Sequence, residues 1–188
     1  SFSGAFKILH GESEHELFKI KKLELFGPDA FRSQISLDRK EVLKVGDTRI
    51  IELGEGFNHR VIHKSNPTVT LCIRTINDLK IPQWHHFFNG LSIVKKELGS
   101  DTLKSIFYFD YLCSRNINEG IIFIKKVIKN LNISTLLNLY EQVYIGELDV
   151  QEFTQETFLQ TFFEEYREKP WFKLYQEFYS SLESKNDI

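Results

Sequence analysis

The sequence predicts an α+β protein, with a β domain over residues 1–80 followed by a helical domain over residues 81–188. Short segments of the first half alternate apolar and polar residues between turn residues, which is typical of strands. After Pro82 the apolar residues recur every three to four positions, which is typical of amphipathic helices. We therefore expect an antiparallel sandwich, jelly roll or barrel, followed by a helical bundle.

The strands are predicted from this alternation and from the turns between them. Residues 27–29, 46–47 and 64–67 hold the glycine, proline, asparagine and aspartate that tight turns favour. The turn at Gly46 lies between two alternating segments and predicts a hairpin of type II′. The predicted strands cover residues 5–9, 16–26, the two halves of 41–53, 57–63 and 68–75.

The helices are predicted from apolar stripes and from start signals. Residues 91–115 predict two helices, the second capped by Ser100 or Asp101. Pro170 predicts the start of the last helix, because the first helical turn tolerates proline. Aromatic stripes of this kind are far more often packing faces than cofactor sites. The stripes are Ile121, Ile124, Ile128, Leu131; Leu136, Leu139, Tyr140, Val143; Phe158, Leu159, Phe162, Phe163, Tyr166; and Trp171, Tyr175, Phe178, Leu182.

The composition of the chain argues against some classes of binding partner. With 24 basic and 26 acidic residues the formal charge is −2, which gives no electrostatic basis for binding nucleic acid or an anionic membrane. Cys72 and Cys113 lie in apolar segments and predict buried, reduced thiols in a cytoplasmic protein. The expected partner is a small-molecule ligand. The chain contains no methionine, so we expect either that residues before Ser1 are missing or that modified methionines are absent from the sequence.

His59 and His63 are the most conspicuous pair of candidate metal ligands. Arg60 stands where a helical zinc motif needs a glutamate, and the branched residues between the histidines favour a strand. Residues four apart on a strand lie roughly 13 Å from each other. At most one of the two histidines is therefore expected to bind a given ion.

Residues around His59 resemble a known family. Gly56-Phe57-Asn58-His59 is similar to the end of the second conserved motif of the cupin superfamily, where a metal-binding histidine lies on a hairpin of a small jelly roll. The following residues NPTVTLCIRT look like cupins of the cysteine-dioxygenase type. The chain departs from the motif at two positions, because its proline falls on Gly54 and its closing asparagine on His63.

The N-terminal residues resemble the first cupin motif. The segment SGAFKILHGESEHELF looks like the end of that motif, with Gly11 as its glycine. Its glutamate ligand falls on Gly4, and its histidine pair would precede Ser1. The resemblance covers residues 1–75 and implies a cupin-like barrel whose beginning lies upstream.

The resemblance implies a metal-dependent oxygenase acting on a small polar or thiol substrate. His59 would bind a divalent ion, iron first and otherwise manganese, nickel or zinc, with Arg60 or Arg74 holding an acid group of the substrate. His10 and His15 could approach His59 from neighbouring strands. The alternatives without a functional role are that the arginines form surface ion pairs and that the histidines occupy ordinary strand or loop positions. No catalytic residue is identified.

The alternative is a non-catalytic module for binding a ligand or a protein. In that case the barrel has lost its metal ligands, as Gly4 and His63 at motif positions suggest. The aromatic helices would then pack in a homodimer or against another protein. Whether the chain is an enzyme is left open by the sequence.

Overall fold

The computed structural model describes residues 3–52, 57–75, 82–94 and 97–186, with side chains up to residue 180. These residues form strands and helices, which confirms the α+β class. The chain divides into two compact units, a β unit of Ser1–Glu24 and Arg32–Ser92 and a helical unit of Leu25–Phe31 and Ile93–Ile188. The predicted domain boundary after residue 80 stays a prediction.

The strands form two open sheets in the described part of the chain. One sheet has the order β4-β1-β6, and the other β5-β2-β3-β8-β7. β1 pairs antiparallel with β4 and β6, and β2 with β5. No closed barrel is formed by the described residues. The strands are β1 Gly4–His10, β2 Ser13–Gly27, β3 Ala30–Leu43, β4 Thr48–Ile51, β5 His59–His63, β6 Val69–Arg74, β7 Trp84–His86 and β8 Leu91–Val94.

The turn at Gly46 is present, but the predicted hairpin is wrong. The strands on its two sides, β3 and β4, belong to different sheets. Gly46 has a φ of 95°, and its amide donates to the carbonyl of Ile8, whose own amide donates to Asp47. The turn is therefore hydrogen-bonded to β1, and it connects a strand of one sheet to a strand of the other.

The same change of sheet occurs between β1 and β2 and between β5 and β6. These two connections touch, since the amide of Glu12 donates to the hydroxyl oxygen of Ser65 at 2.7 Å. Gly11 has a φ of 77°, and a Cβ there would lie 2.3 Å from that hydroxyl oxygen. The position requires glycine for both its conformation and its space.

Phe6, Ile8 and Leu43 form a buried apolar cluster in the β unit, with Ile51 and Phe57 packed against it. Phe6 and Ile8 alternate on one face of β1, as the period of a strand requires. The cluster thus joins residues of β1, β3 and β4 in one core.

The prediction of a helix directly after residue 91 is wrong. Leu91–Val94 is strand β8, and Leu91 and Ser92 are fully buried. A short apolar run buried on both sides cannot be distinguished from a helix by periodicity. The Ser92 hydroxyl is hydrogen-bonded to the Ser33 hydroxyl and to His86 Nδ1, each at 2.8 Å, which gives this polar group partners inside the sheet.

The four predicted stripes fall on the last four helices of the described chain, apart from Leu131, which follows its helix, but the helix before them is not capped as predicted. Its N-cap is Gly99, which makes no side-chain cap hydrogen bond. Asp110 Oδ1 of this helix accepts from the Thr154 hydroxyl at 2.6 Å and from the Gln151 amide, which links it to the start of the fourth helix. The helices are α1 Ser100–Arg115, α2 Ile117–Lys129, α3 Ile133–Tyr144, α4 Glu152–Tyr166 and α5 Pro170–Asn186.

Aromatic side chains fill the core of the helical unit. Phe162 of α4 is fully buried and contacts Tyr140 of α3 and Phe172 of α5 at ring-centroid distances of 4.9 and 5.4 Å. The Tyr166 hydroxyl donates to the carbonyl of Ile128 at 3.0 Å. The stripes therefore act mainly as the packing faces that the sequence predicts.

The two cysteines differ in environment. Cys113 is buried, as predicted, whereas Cys72 is exposed on β6, so the prediction of a second buried thiol is wrong. Among the described residues, no helix is long and apolar enough to cross a membrane.

Candidate functional site

The three predicted site residues lie on two sheets. His59 and Arg60 are adjacent on β5, and adjacent residues of a strand point to opposite faces of the sheet. Arg74 ends β6, which belongs to the other sheet. A site that combines His59 with both arginines stays a prediction.

His59 lies in a ring quartet, formed with His15, Phe6 and Phe57. The His15 and His59 rings are stacked at 5.9 Å with planes 4° apart, and Phe6 stacks on His15 at 5.1 Å. Phe57 contacts His59 at 4.4 Å and Phe6 at 6.4 Å, which closes the circuit of rings. His15 therefore does approach His59, as predicted, and the two rings are in contact.

The quartet favours neutral imidazoles. Burial lowers the pKa of His15, and the neighbouring His59 lowers it further. Burial also lowers the pKa of His59, against a hydrogen bond to the Phe57 backbone that raises it. Both effects follow from the cost of placing a charge among apolar rings.

The residues at His59 do not fit a metal centre. The lone pair of an imidazole nitrogen lies in the plane of its ring, so two stacked, parallel rings do not direct lone pairs at one point between them. Among the described residues, no group of three or more histidine, cysteine, aspartate or glutamate side chains could hold an ion. Metal binding by His59 stays a prediction.

Gly4 occupies the position that the resemblance assigns to a glutamate ligand. It lies opposite Arg74 where β1 pairs with β6. A Cβ at Gly4 would lie 2.1 Å from the Ile73 carbonyl oxygen and 2.8 Å from Arg74 Cα. The backbones approach too closely for any side chain, so the position has a structural need for glycine.

Arg60 belongs to a charged face on the other side of β2 and β5, formed with Glu14, Glu16, Lys40 and Lys64. Arg60 Nε donates to Glu16 at 2.8 Å, and its guanidinium carbon lies 5.1 Å from the centre of the Phe88 ring. Lys40 lies 2.7 Å from Glu14 and 3.6 Å from Glu16, and Lys64 lies 3.2 Å from Glu14. The hydrogen bond from Lys40 lowers the pKa of Glu14. Substrate binding by Arg60 would have to compete with this network.

Arg74 is exposed at the end of β6. Its backbone lies opposite Gly4, and its neighbour Thr75 donates from its amide to the carbonyl of Ser3 at 2.8 Å. This pairing fixes the end of the strand at the margin of the smaller sheet. Substrate binding by Arg74 stays a prediction.

The helical unit contains an arrangement that the sequence interpretation did not select, the tyrosine pocket. Tyr140 and Tyr144 of α3 are four residues apart, as are Tyr175 and Tyr179 of α5, so each pair shares a helix face. Tyr140 and Tyr144 are stacked at 6.1 Å, Tyr175 and Tyr179 are 4.8 Å apart, and Tyr140 meets Tyr175 at 6.2 Å. The four rings line one cavity between α3 and α5.

A carboxylate lies among these rings. Glu141 also lines the cavity, and its Oε1 accepts a hydrogen bond from the Tyr179 hydroxyl. Tyr175 and Tyr179 are also hydrogen-bonded to each other. Because the single hydroxyl proton of Tyr179 is donated to Glu141, Tyr175 is the donor in this bond. The two hydroxyls and the carboxylate therefore form a chain with one direction, from Tyr175 to Tyr179 to Glu141.

Three phenols of the pocket, those of Tyr140, Tyr175 and Tyr179, stay protonated at neutral pH. Burial raises the pKa of Tyr140 and of Tyr175, and burial together with the bond to Glu141 raises the pKa of Tyr179 to about 12. Among the described residues that line the cavity, Glu141 alone carries a formal charge. The pocket is therefore a group of neutral aromatic rings around one negative charge.

The size of the cavity limits what it can hold. Its volume is about 140 Å³, and Gln176 and Ser180 complete its lining. An engineered apolar cavity of about 150 Å³ accommodates benzene. Tyr144 is 52% exposed, so the cavity has an aromatic residue open to solvent. The pocket has room for a head group of benzene size and not for a large cofactor.

A sequence signal for this pocket exists. Both α3 and α5 contain two tyrosines in a Tyr-x-x-x-Tyr spacing, and in α3 a glutamate directly follows the first tyrosine. Each pattern alone is typical of a packing stripe. The two patterns form a cavity wall only because α3 and α5 lie side by side, and this neighbourhood cannot be predicted from the sequence.

Comparisons of the chain with family models, with curated proteins and with solved structures found no significant match. The resemblance of residues 1–75 to cupins therefore stays a prediction.

Proposed function

We propose that the chain is a binding module that holds a small organic cation in the tyrosine pocket. The observation that carries this proposal is the placement of Glu141 among four tyrosine rings around one cavity. Aromatic faces attract cations within about 6 Å of the ring centre through the negative potential above each face. This function specifies the non-catalytic alternative that the sequence left open.

The charge of the pocket supports a cation over a neutral or anionic ligand. The raised pKa values of Tyr140, Tyr175 and Tyr179 mean that no phenol competes with Glu141 for the role of negative group at neutral pH. A desolvated cation–ring contact contributes about 2 kcal/mol or more, against about 0.5–1 kcal/mol at an exposed site. Several tyrosine rings together with one carboxylate offset the hydration free energy that a cation loses when it enters the pocket.

Titration calorimetry with choline tests the proposal, with its uncharged carbon analogue dimethylbutanol as the matched ligand. Choline should bind to the wild-type protein and dimethylbutanol should bind much more weakly, because only the charged ligand interacts with Glu141. Equal binding of the two would show an apolar pocket and overturn the proposal.

Glu141→Gln should weaken choline binding at least about tenfold, because the pocket loses its charge while its shape is kept. Glu156→Gln is the matched control, since Glu156 is an exposed glutamate on α4 outside the cavity lining. If both variants bind choline as the wild type does, Glu141 does not hold the ligand.

A second proposal keeps the metal-dependent oxygenase on a cupin-like jelly roll. Two packed sheets of eight strands are the usual form of a jelly roll, and the eight described strands in two sheets favour this fold, whereas the stacked rings of His15 and His59 do not supply a set of metal ligands. Elemental analysis of the purified protein tests this proposal. Near-stoichiometric metal that is lost in His59→Ala and kept in His10→Ala would support it, whereas metal-free folded protein would contradict it.

A further inference from the structure

We propose that the tyrosine pocket selects a quaternary ammonium head group over a guanidinium or a primary ammonium. This inference rests on the proposed function, and it derives from how Glu141 is already bonded within the pocket. The three candidate cations differ in their N–H donors, in their hydration and in their shape.

A guanidinium is the cation that the pocket accommodates least well. Its tight binding to a carboxylate uses two parallel hydrogen bonds, one to each oxygen. In the tyrosine pocket, Oε1 of Glu141 already accepts from the Tyr179 hydroxyl, which in turn accepts from Tyr175. A guanidinium that bonds to both carboxylate oxygens would therefore have to share Oε1 with the Tyr179 hydroxyl, which weakens its bond to that oxygen.

A primary ammonium meets a different cost. It is compact and strongly hydrated, and it carries three N–H donors that each need an acceptor when water is removed. Four of the seven residues that line the cavity are tyrosines, and one carboxylate oxygen already accepts from Tyr179. An ammonium that enters would exchange part of its hydrogen bonding to water for weaker contacts with rings.

A quaternary ammonium avoids both costs. It has no N–H donor to satisfy, its charge is spread over methyl groups, and those methyl groups can lie against Tyr140, Tyr144 and Tyr175 while Glu141 supplies the field. The chain of hydroxyls stays intact. The cavity of about 140 Å³ is close to the size that holds benzene, which suits a head group with several methyl substituents.

The test compares tetramethylammonium, guanidinium and methylammonium by calorimetry on the full chain. We expect tetramethylammonium to bind at least about tenfold more tightly than either of the others, a difference of about 1.4 kcal/mol. If guanidinium or methylammonium binds as tightly, and that binding is lost in Glu141→Gln, the selectivity is overturned while the cation-binding function stands. If no cation binds, both are overturned.

Tyr179→Phe tests the reason for the selectivity. The variant removes the hydroxyl that shares Oε1 of Glu141 and keeps the aromatic ring, so both carboxylate oxygens become fully available to a ligand. Guanidinium should then gain affinity relative to tetramethylammonium, and the ratio between them should fall several-fold. Circular dichroism verifies that the variant is folded. An unchanged ratio in folded protein would overturn the proposed mechanism of selection.

Discussion

The ring quartet of the β unit and the tyrosine pocket of the helical unit both combine aromatic rings with ionisable side chains, but they use them differently. In the quartet the rings of Phe6, His15, His59 and Phe57 contact each other in a closed circuit. In the pocket four tyrosine rings line a cavity of about 140 Å³. The quartet fills its space with its own side chains, whereas the pocket leaves space for a ligand.

The charges of the two regions differ in the same way. Glu14 and Glu16 of the charged face are buried and each is paired with two cations, so their charge is balanced by the protein. Glu141 of the tyrosine pocket has a tyrosine hydroxyl as its partner, and a hydroxyl carries no charge. A buried or partly buried carboxylate thus indicates a cation site only where the protein does not itself supply the cation.

We expect the largest loss of stability when a ring that packs in the core of the β unit is removed, and a much smaller loss when a ring that lines the cavity is removed. Phe6 is 7% exposed and contacts two rings of the quartet, so Phe6→Ala should lower the free energy of unfolding by about 3–5 kcal/mol. Tyr144 is half exposed, so Tyr144→Ala should cost less than about 1 kcal/mol and should weaken cation binding. Urea denaturation measures both. Equal losses of stability would remove the distinction between the two regions.

Gly120→Ala should have the next largest effect. A Cβ at Gly120 would lie 2.6 Å from Cys113 Sγ, at the contact between α1 and α2, so the variant should lose about 1–3 kcal/mol. Because Gly120 is outside the tyrosine pocket, folded Gly120→Ala should bind choline as the wild type does. In a double-mutant cycle, adding Cys113→Ala should recover part of the loss. Additive losses would show that the sulfur is not the obstacle.

The charged face and the pocket should respond differently to removal of one negative charge. Glu16→Gln leaves Arg60 without its carboxylate partner and Lys40 with Glu14 alone, and should lower the urea midpoint. Glu141→Gln removes a charge that has no cationic partner among the described lining residues and should change the midpoint by less. A greater loss in Glu141→Gln would mean that the pocket carboxylate is needed for folding.

The dependence on pH should have opposite signs in the two units. The pKa values of His15 and His59 are lowered in the fold, so this part of the stability is present above about pH 6.5 and is lost as the pH falls. The pKa values of Tyr175 and Tyr179 are raised, so their part is present below about pH 10 and is lost as the pH rises.

Tryptophan fluorescence measures this contrast unit by unit, because Trp84 lies in the β unit and Trp171 in the helical unit. Single-tryptophan variants should show acid sensitivity at Trp84 and alkaline sensitivity at Trp171. His59→Phe should reduce the acid effect. An acid effect that persists unchanged in this variant would assign it to other groups.

Much of the secondary structure could be predicted from the sequence, because period and turn chemistry are local properties. The strands around residues 5–9, 16–26, 57–63 and 68–75 and the helix starting at Pro170 are present. The pairing of strands could not be predicted. The segments flanking Gly46 have the pattern of a hairpin, yet the long-range hydrogen bonds to Ile8 direct them into different sheets.

The candidate site was harder to predict than the fold. The histidines attracted attention because histidine is a common metal ligand, but in the structure His59 packs among rings. From the sequence, the tyrosines are interpreted as packing stripes. This is partly right, because Tyr140 contacts Phe162 and Tyr175. Their role as a cavity wall depends on the distance between two helices, and no single stretch of sequence determines that distance.

In the described chain the strands change sheet five times, between β1 and β2, β3 and β4, β4 and β5, β5 and β6, and β6 and β7. These changes affect the order in which the protein folds. Strands that follow each other in sequence at Gly11, Gly46 and Pro67 do not pair, and Gly4 finds its partner at Arg74. Pairing between distant segments closes long loops and slows folding, whereas neighbouring helices form contacts quickly. We therefore expect the helical unit to acquire its structure in less time than the β unit, although the β unit begins first on the ribosome.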